Sequence, residues 1–289
     1  MKIKILIPVY NDWQSVFKLL ENINSEVSNL DHEFSVIIVN DASTETKPEL
    51  SVNLEKLNSI KIINMKENRG HARCNAAGLK HIFENEEFNY VIPMDGDGED
   101  RPEEIRQLVD NLNYHTDKPI VGERIKRSEG IFFKFCYFVH KIITSTFTGQ
   151  SIKYGNYTCL PKSTVEKMIN EKATWSSFSG SLAKIAKDRA TIPSERGTRY
   201  FGPSKMSFKN LLIHSLSIIG VFKITLLIRS LFFLIAYLFL VIGKISVITL
   251  VPVIGVIMMM IFVIIFSRRE NVSEFNNSLD NIEKIDSLK

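Results

Sequence analysis

Between Ile224 and Phe266 the chain carries charge only at Arg229 and Lys244. The halves on either side of that lysine, Ile224 to Gly243 and Ile245 to Phe266, each have about the twenty residues a helix needs to cross a bilayer. This run divides the chain, because everything before Lys205 has ordinary soluble composition. Lys205, Lys209 and Lys223 precede the pair, and Arg268 and Arg269 follow it, so the positive-inside rule places both ends in the cytoplasm. Arg229, one turn into the first span, can snorkel, and Pro252 is tolerable in a paired span. Just upstream, Phe208, Leu211, Leu212, Leu216, Ile219 and Phe222 form one stripe, with Ser207, Asn210, His214 and Ser217 opposite. That pattern predicts an amphipathic helix in the membrane interface over 205–222, leading into a hairpin over 223–267. The polar, asparagine-rich residues 268–289 are expected to be disordered.

The net charge of +4 is mild, and no basic stripe with interleaved aromatics occurs, which argues against a nucleic-acid partner. Cys74, Cys136 and Cys159 are odd in number and far apart, as in a reduced compartment. The opening MKIKILIPVY is too short in its apolar run for a signal peptide and soon meets Pro8. None of the six histidines pairs with another at ligand spacing, and no serine or cysteine sits in a recognisable nucleophile elbow. An integral membrane protein with its soluble part, 1–204, in the cytoplasm is expected.

Within that part, apolar runs at Lys4 to Val9, Phe34 to Val39, Ile60 to Ile63, Val91 to Met94 and Pro119 to Val121 read as strands. Helical periodicity occupies Trp13 to Val27, Gly70 to Phe83 and the residues from Pro102 onward. Alternation of this kind, with strands apolar throughout, predicts an α/β fold with a mostly parallel sheet covered on both faces. Ligands in such sheets bind beyond the carboxyl ends of the strands, where Pro8 to Asp12, Asp41 and Asp95 to Glu99 all fall. The two commonest nucleotide fingerprints, G-x-G-x-x-G after the first strand and G-x-x-x-x-G-K-[ST], are absent.

The chemistry concentrates in FNYVIPMDGDGEDRP, Phe88 to Pro102. If the chain stays extended there, Asp95, Asp97 and Glu99 project to one side, and their repulsion calls for a cation. Hard oxygen ligands of this type suit Mg²⁺ or Mn²⁺ sharing its shell with substrate phosphates. An EF-hand loop fails, since its turn glycine would fall at Asp100 and its closing glutamate at Arg106. Asp100, Glu103 and Glu104 read more simply as acids at the start of the next helix.

Four stretches in order, IPVYND at Ile7 to Asp12, VNDAST at Val39 to Thr44, NRGHARCNAAG at Asn68 to Gly78 and MDGDGEDRP at Met94 to Pro102, resemble the successive motifs of family-2 glycosyltransferases. With the hydrophobic pair included, the chain is similar to the dolichyl- and polyprenyl-phosphate sugar synthases. The resemblance implies a GT-A domain that binds a UDP- or GDP-sugar, followed by the interfacial helix and two transmembrane helices. It places Pro8, Tyr10 and Asp12 on the nucleobase and ribose, Asp41 on the base edge, Asp95 with Gly96 at the ribose, and Asp97 and Glu99 on the metal. Asn40 stands where the family usually has a second aspartate, and Glu99 where the polyprenyl-phosphate enzymes commonly have glutamine. Arg73 reads either as a phosphate contact or as a solvated helix residue.

The resemblance also implies that Arg124 and Arg127 hold an acceptor phosphate, beside an apolar stretch, Ile131 to Phe147, that could lie against lipid. Only Gly155 of SIKYGN, Ser151 to Asn156, matches the acceptor motif of mannose synthases, which leaves sugar and acceptor open. Arg199 and Lys205 match residues that reach the donor pyrophosphate; both also read as juxtamembrane charges. The expected reaction is inverting, metal-dependent transfer of a sugar to a polyprenyl phosphate. Transfer to a hydroxyl of a lipid-linked glycan is the nearest rival, and a non-catalytic nucleotide-sugar-binding membrane protein the rival of another class. No base is evident from Glu166 to Asp188, which favours an acceptor that is already anionic. Base, sugar and oligomeric state, including a homo-oligomer, stay open.

Overall fold

The computed structural model describes residues 1–49, 53–126, 131–203 and 208–289. Its contacts divide the chain into two units. One comprises Met1–Ser128, Lys153–Lys205 and Asn271–Lys289, and the other Glu129–Ile152 and Met206–Glu270.

The first unit is built on an eight-stranded sheet: β1 (Lys2–Val9), β2 (Glu33–Asn40), β3 (Leu57–Met65), β4 (Tyr90–Pro93), β5 (Ile120–Lys126), β6 (Thr158–Pro161), β7 (Ala190–Glu195) and β8 (Ile282–Ser287). Their spatial order is β7-β5-β6-β4-β1-β2-β3-β8. β1 pairs in parallel with β2 and β4, β2 with β3, and β5 with β7, whereas β6 and β8 run antiparallel to their neighbours. Helices α1 (Trp13–Glu26), α2 (His71–Asn85) and α3 (Ile105–Asp110) follow β1, β3 and β4; α5 (Lys162–Ile169) and α6 (Phe178–Ile185) come after β6. Ile3, Ile5, Leu6, Ile7, Val36, Ile37 and Ile38 are all fully buried, which explains why β1 and β2 show no polar alternation: both sheet faces are covered. At the amino ends of the strands, Glu86 accepts from Lys4 Nζ at 2.8 Å and Lys61 Nζ at 2.6 Å, so the half-buried charges there are paired.

The tail expected to be disordered is ordered from Asn271 onward. It forms the short helix α10 (Val272–Asn276) and then β8, which pairs with β3 from Lys61↔Ser287 to Met65↔Ile282. Ile285 and its neighbours lack the continuous apolar run of β1, and the strand forms because β3 offers an unpaired edge.

The second unit contains α4 (Ile131–Thr148), α7 (Phe208–Gly220), α8 (Lys223–Val241) and α9 (Val247–Ser267). The last two are long and apolar enough to cross a membrane. Exposure of Ile224, Phe232, Phe239 and Ile248 along them fits a lipid-facing surface rather than a soluble core. Ile219, Leu226 and Val263 form its centre, against which Ile143 and Phe147 of α4 pack. The contacts divide the chain after Lys205, next to the expected boundary at 204, but they place 129–152 with the apolar helices. Arg229 also departs from the snorkelling expected of it: Nη1 donates to the Thr146 carbonyl at 2.9 Å, capping the carboxyl end of α4. In α9, Ser246 and Thr249 form a capping box ahead of Pro252.

Glu104, expected simply to complement a helix dipole, is buried and holds β7. Oε2 accepts from Ser194 Oγ at 2.7 Å and Oε1 from the Glu195 amide at 2.9 Å. Glu104→Ala leaves both donors unpaired and is expected to destabilise this unit by about 1–3 kcal/mol. A thermal melt of the detergent-solubilised protein with a domain-specific probe checks it; an unchanged midpoint would refute this role.

Candidate active site

β1, β2 and β4 end side by side, and three loops meet there. The first two are tied together by Asn11, whose backbone amide donates to Ser43 Oγ at 2.9 Å. Its Oδ1 accepts from the Thr44 amide at 2.8 Å and the Glu45 amide at 3.1 Å. Asn11 and Ala42 take φ of +51° and +55°, a conformation costly for residues with a Cβ that recurs at functional sites. Asn40 Oδ1 accepts from the Ser43 amide at 3.0 Å, as an aspartate would, and its Nδ2 donates to Asn64 Oδ1 at 2.9 Å, as an aspartate could not.

Asp41 is buried at the end of β2. Its two oxygens accept from the amides of Arg69 and Gly70, each at 2.8 Å, at the amino terminus of α2. The carboxylate therefore fixes the β3–α2 loop as well as bordering the crevice. Pro8 is buried within β1, and Tyr10 is 43% exposed at the crevice rim. The Arg73 guanidinium lies over Trp175 at 5.5 Å and 3.6 Å from Glu274.

The third loop is the acidic turn. β4 stops at Pro93, so the carboxylates are not arrayed by strand alternation as expected; Gly98, at φ +90°, turns the chain. Gly96 permits the close approach of this turn to β1, for a Cβ there would lie 2.9 Å from Val16 Cγ2 and 3.1 Å from the Pro8 carbonyl. Each acid then meets a different cation. Asp95 Oδ1 is 3.0 Å from His71 Nε2 and accepts from Asn156 Nδ2 at 3.3 Å. Arg199 forks between Asp97 and Asp12, and Arg196 pairs with Glu99. Asp12 also accepts from Ser15 Oγ at 2.6 Å. The backbone joins the same two segments, Gly197 N donating to the Glu99 carbonyl at 2.8 Å and Tyr200 N to that of Asp97 at 3.0 Å.

Electrostatics follow from this packing. Burial opposes the charge on Asp95, yet His71 and Arg124 outweigh it and hold the carboxyl well below the usual range. Burial likewise opposes the charge on His71, but Asp95 raises its pKa. Asp97 goes the other way: burial, then Asp95 and Glu99 beside it, push it up to about 6. Burial and Asp95 also raise Asp100, which accepts from the Asp95 amide at 2.9 Å. Arg124 acts on both Asp95 and Asp100, and Gly155 makes room for it, since a Cβ there would sit 3.3 Å from Nη2. Arg127 and Lys205 lie outside the described residues.

The model of Glycosyl transferase family 2 matches residues 4–172, more than half of the chain. The chain belongs to glycosyl transferase family 2. Among curated relatives of this family-2 glycosyltransferase is the undecaprenyl-phosphate 4-deoxy-4-formamido-L-arabinose transferase of Salmonella choleraesuis, 28% identical over 218 residues. The match takes in 73% of this chain and 64% of the relative, so the chain spans less than two thirds of the curated relatives' length. Among solved structures, the mannosyltransferase PcManGT of Pyrobaculum calidifontis, in complex with GDP-Man and Mn²⁺, aligns at TM-score 0.53 and 15% identity, covering 94% of this chain and 87% of that one. Glucosyl-3-phosphoglycerate synthase of Mycobacterium tuberculosis, in complex with Mn²⁺, UDP and glucosyl-3-phosphoglycerate, aligns at TM-score 0.52 and 12% identity, covering 79% of each. Both likenesses establish the shared GT-A fold.

Asp97 and Glu99, expected from the sequence to share a divalent ion, lie in the same turn of this glycosyltransferase; among the described residues no group of three acidic, histidine or cysteine side chains could hold a metal ion. Two carboxylates fit Mg²⁺ or Mn²⁺, which complete their shell with water and phosphate oxygens. The raised pKa of Asp97 fits too, because excess negative charge is what a divalent cation would relieve. His71, Asn156 and Arg196 were not singled out from sequence. His71 and Asn156 lay inside the quoted stretches NRGHARCNAAG and SIKYGN, but only their distances from Asp95, and that of Arg196 from Glu99, set them apart.

If Asp97 ligates a divalent ion, that ion has to displace its proton, and Mn²⁺ affinity is then expected to be flat above about pH 7 and to fall up to about tenfold per pH unit below 6. Calorimetric titration from pH 5 to 8 checks this, and Asp97→Asn should abolish the slope. An equal slope in that variant would assign the proton elsewhere.

Proposed function

We propose that this glycosyltransferase moves a sugar from a nucleoside diphosphate sugar onto the phosphate of a membrane polyprenol, with inversion at the anomeric carbon. The observation that carries the reading is the meeting of Asp97 and Glu99 with Arg199 and Arg196 beyond the sheet's carboxyl edge, in a chain with two helices able to span a bilayer. The named activity of the curated relatives supports the acceptor class.

Asp97 and Glu99 would hold Mg²⁺ or Mn²⁺, which when bound neutralises charge on the departing nucleoside diphosphate. Arg199 has a further capacity: its Nε is buried without a hydrogen-bond partner among the described residues, a donor that a phosphate oxygen would satisfy. Its fork and that of Arg196 are then available to the pyrophosphate once their carboxylates take other partners. Tyr10, Asp12, Asp41 and Asp95 border the space for the nucleoside and ribose. Arg124, beside Asp95 and Asp100, orients the acceptor phosphate, with Arg127 and Lys205 as further cations on either substrate.

An acceptor phosphate oxygen attacks the anomeric carbon while that carbon's bond to the pyrophosphate breaks, its electron pair leaving on the phosphate oxygen. No proton has to be removed from an acceptor anionic at neutral pH. The acids of the later segment support this: Glu171 caps the turn at Ala173 and pairs with Lys184, and Asp188 pairs with Lys118. The flanking positive charges support a reacting side in the cytoplasm.

The test uses purified protein in detergent with Mn²⁺, radiolabelled UDP- and GDP-sugars and undecaprenyl phosphate, with chloroform-extractable label counted. Label that requires lipid and disappears in Asp97→Ala is expected. Donor hydrolysis without lipid labelling would move the acceptor to a hydroxyl, and no donor binding at all would refute the enzyme reading. In the same assay Arg199→Ala should lower turnover about a hundredfold or more, the usual loss when a charge-stabilising donor is removed. Retained turnover would remove Arg199 from the pyrophosphate site.

A further inference from the structure

The loop from Lys66 to Arg73 carries two contacts of the site, the Arg69 and Gly70 amides on Asp41 and His71 on Asp95. What holds that loop comes from the far end of the sequence. The Asn281 carbonyl accepts from the Lys66 amide at 2.7 Å, the Asp280 carbonyl from Lys66 Nζ at 2.7 Å, and Asn281 Nδ2 donates to the Glu67 carbonyl at 3.3 Å. One turn earlier, Glu274 accepts from Trp175 Nε1 at 2.9 Å and lies 3.6 Å from Arg73 and 4.0 Å from Arg69. Phe275 stacks on Trp175 with centroids 5.6 Å apart, and Arg73 lies over the Trp175 ring. Asn271 caps α10 by accepting from the Glu274 amide at 3.1 Å, which fixes the direction of that helix.

We propose that Asn271 to Asn281 forms a clasp on the donor site, in which Glu274 is a positioning residue. It anchors Arg69 and Arg73, and through them sets the amides on Asp41 and the imidazole on Asp95. The functional half of this inference rests on the reading that Asp41 and Asp95 border the nucleoside of the donor. Glu274 touches neither, so its influence is on binding geometry. The Trp175 hydrogen bond, together with Arg73 and Arg69, holds its carboxyl below the ordinary value, as an anchoring anion requires. Packing of Phe275 on Trp175 would by itself hold α10, and the charge on Glu274 is what separates a clasp from packing.

The test uses the full-length protein in detergent. Glu274→Gln keeps an acceptor for Trp175 and removes the charge; Glu274→Ala removes both; Asn281→Ala loosens the other end independently. Hydrogen–deuterium exchange is followed in peptides covering 66–74, and UDP and GDP binding is measured by calorimetry with Mn²⁺. In Glu274→Gln, exchange across 66–74 should accelerate about fivefold, the loss expected for two partly exposed ion pairs, with nucleotide affinity falling by a similar factor. Exchange in β1 should stay unchanged. Exchange in 66–74 equal to wild type in Glu274→Ala and Asn281→Ala overturns the clasp, and faster exchange with undiminished nucleotide affinity overturns its bearing on the donor site. If the wild type binds neither UDP nor GDP, it is the donor reading that fails, and the exchange data still decide whether the clasp exists.

Discussion

Repulsion among carboxylates in the turn after β4 is the constraint on which the rest of the soluble unit depends. Asp95, Asp97, Glu99 and Asp100 are four acids within six consecutive positions, and Asp95 and Asp100 are both withdrawn from water or paired. Such a cluster stands only if cations reach it, because the desolvation of several like charges is not offset by packing. The cations come from three separate places: His71 at the start of α2, Arg124 on β5, and Arg196 with Arg199 after β7. Strand order, with β6 inserted between β4 and β5, is what sets β5 and β7 where their arginines can contribute. The residual imbalance falls on Asp97 and Asp100, whose carboxyls burial and the neighbouring acids push up.

A second layer of buried carboxylates holds the loops rather than the reaction. Asp41 binds the start of α2, and Glu104 binds β7. In each case an acid brought in by one strand-loop-helix unit satisfies amide or hydroxyl donors of another. Charge-assisted hydrogen bonds of this type are short and directional, so they set loop positions more tightly than apolar contact does. Asn11 does the same between the first two loops with neutral groups. The crevice is therefore defined by polar connections at the carboxyl edge, above a largely apolar core.

The apolar helices form their own unit, in which α4 joins α7, α8 and α9 although it lies far upstream in sequence. Arg229 illustrates how a charge persists among them, since its guanidinium satisfies a carbonyl at the end of α4 instead of seeking water. After the second long helix the chain rejoins the soluble unit's sheet through β8, so this unit is assembled from both ends of the sequence.

Much of this was legible in the residues alone. Apolar runs located β1 to β5, helical periodicity located α1 and α2, and the scarcity of charge from Ile224 to Phe266 located the spanning pair, because burial and lipid impose composition directly. The acids and Arg124 and Arg199 were visible as types in a pattern. The ordering of Asn271 to Lys289 was not, since β8 is polar and is ordered by the free edge of β3, which no local signal announces. Nor could sequence separate Glu104 and Arg73, which brace the fold, from acids and arginines aimed at substrate. Composition and periodicity follow from what each segment must bury by itself. The partner of a charge is chosen by distance across elements, and only the tertiary structure decides that.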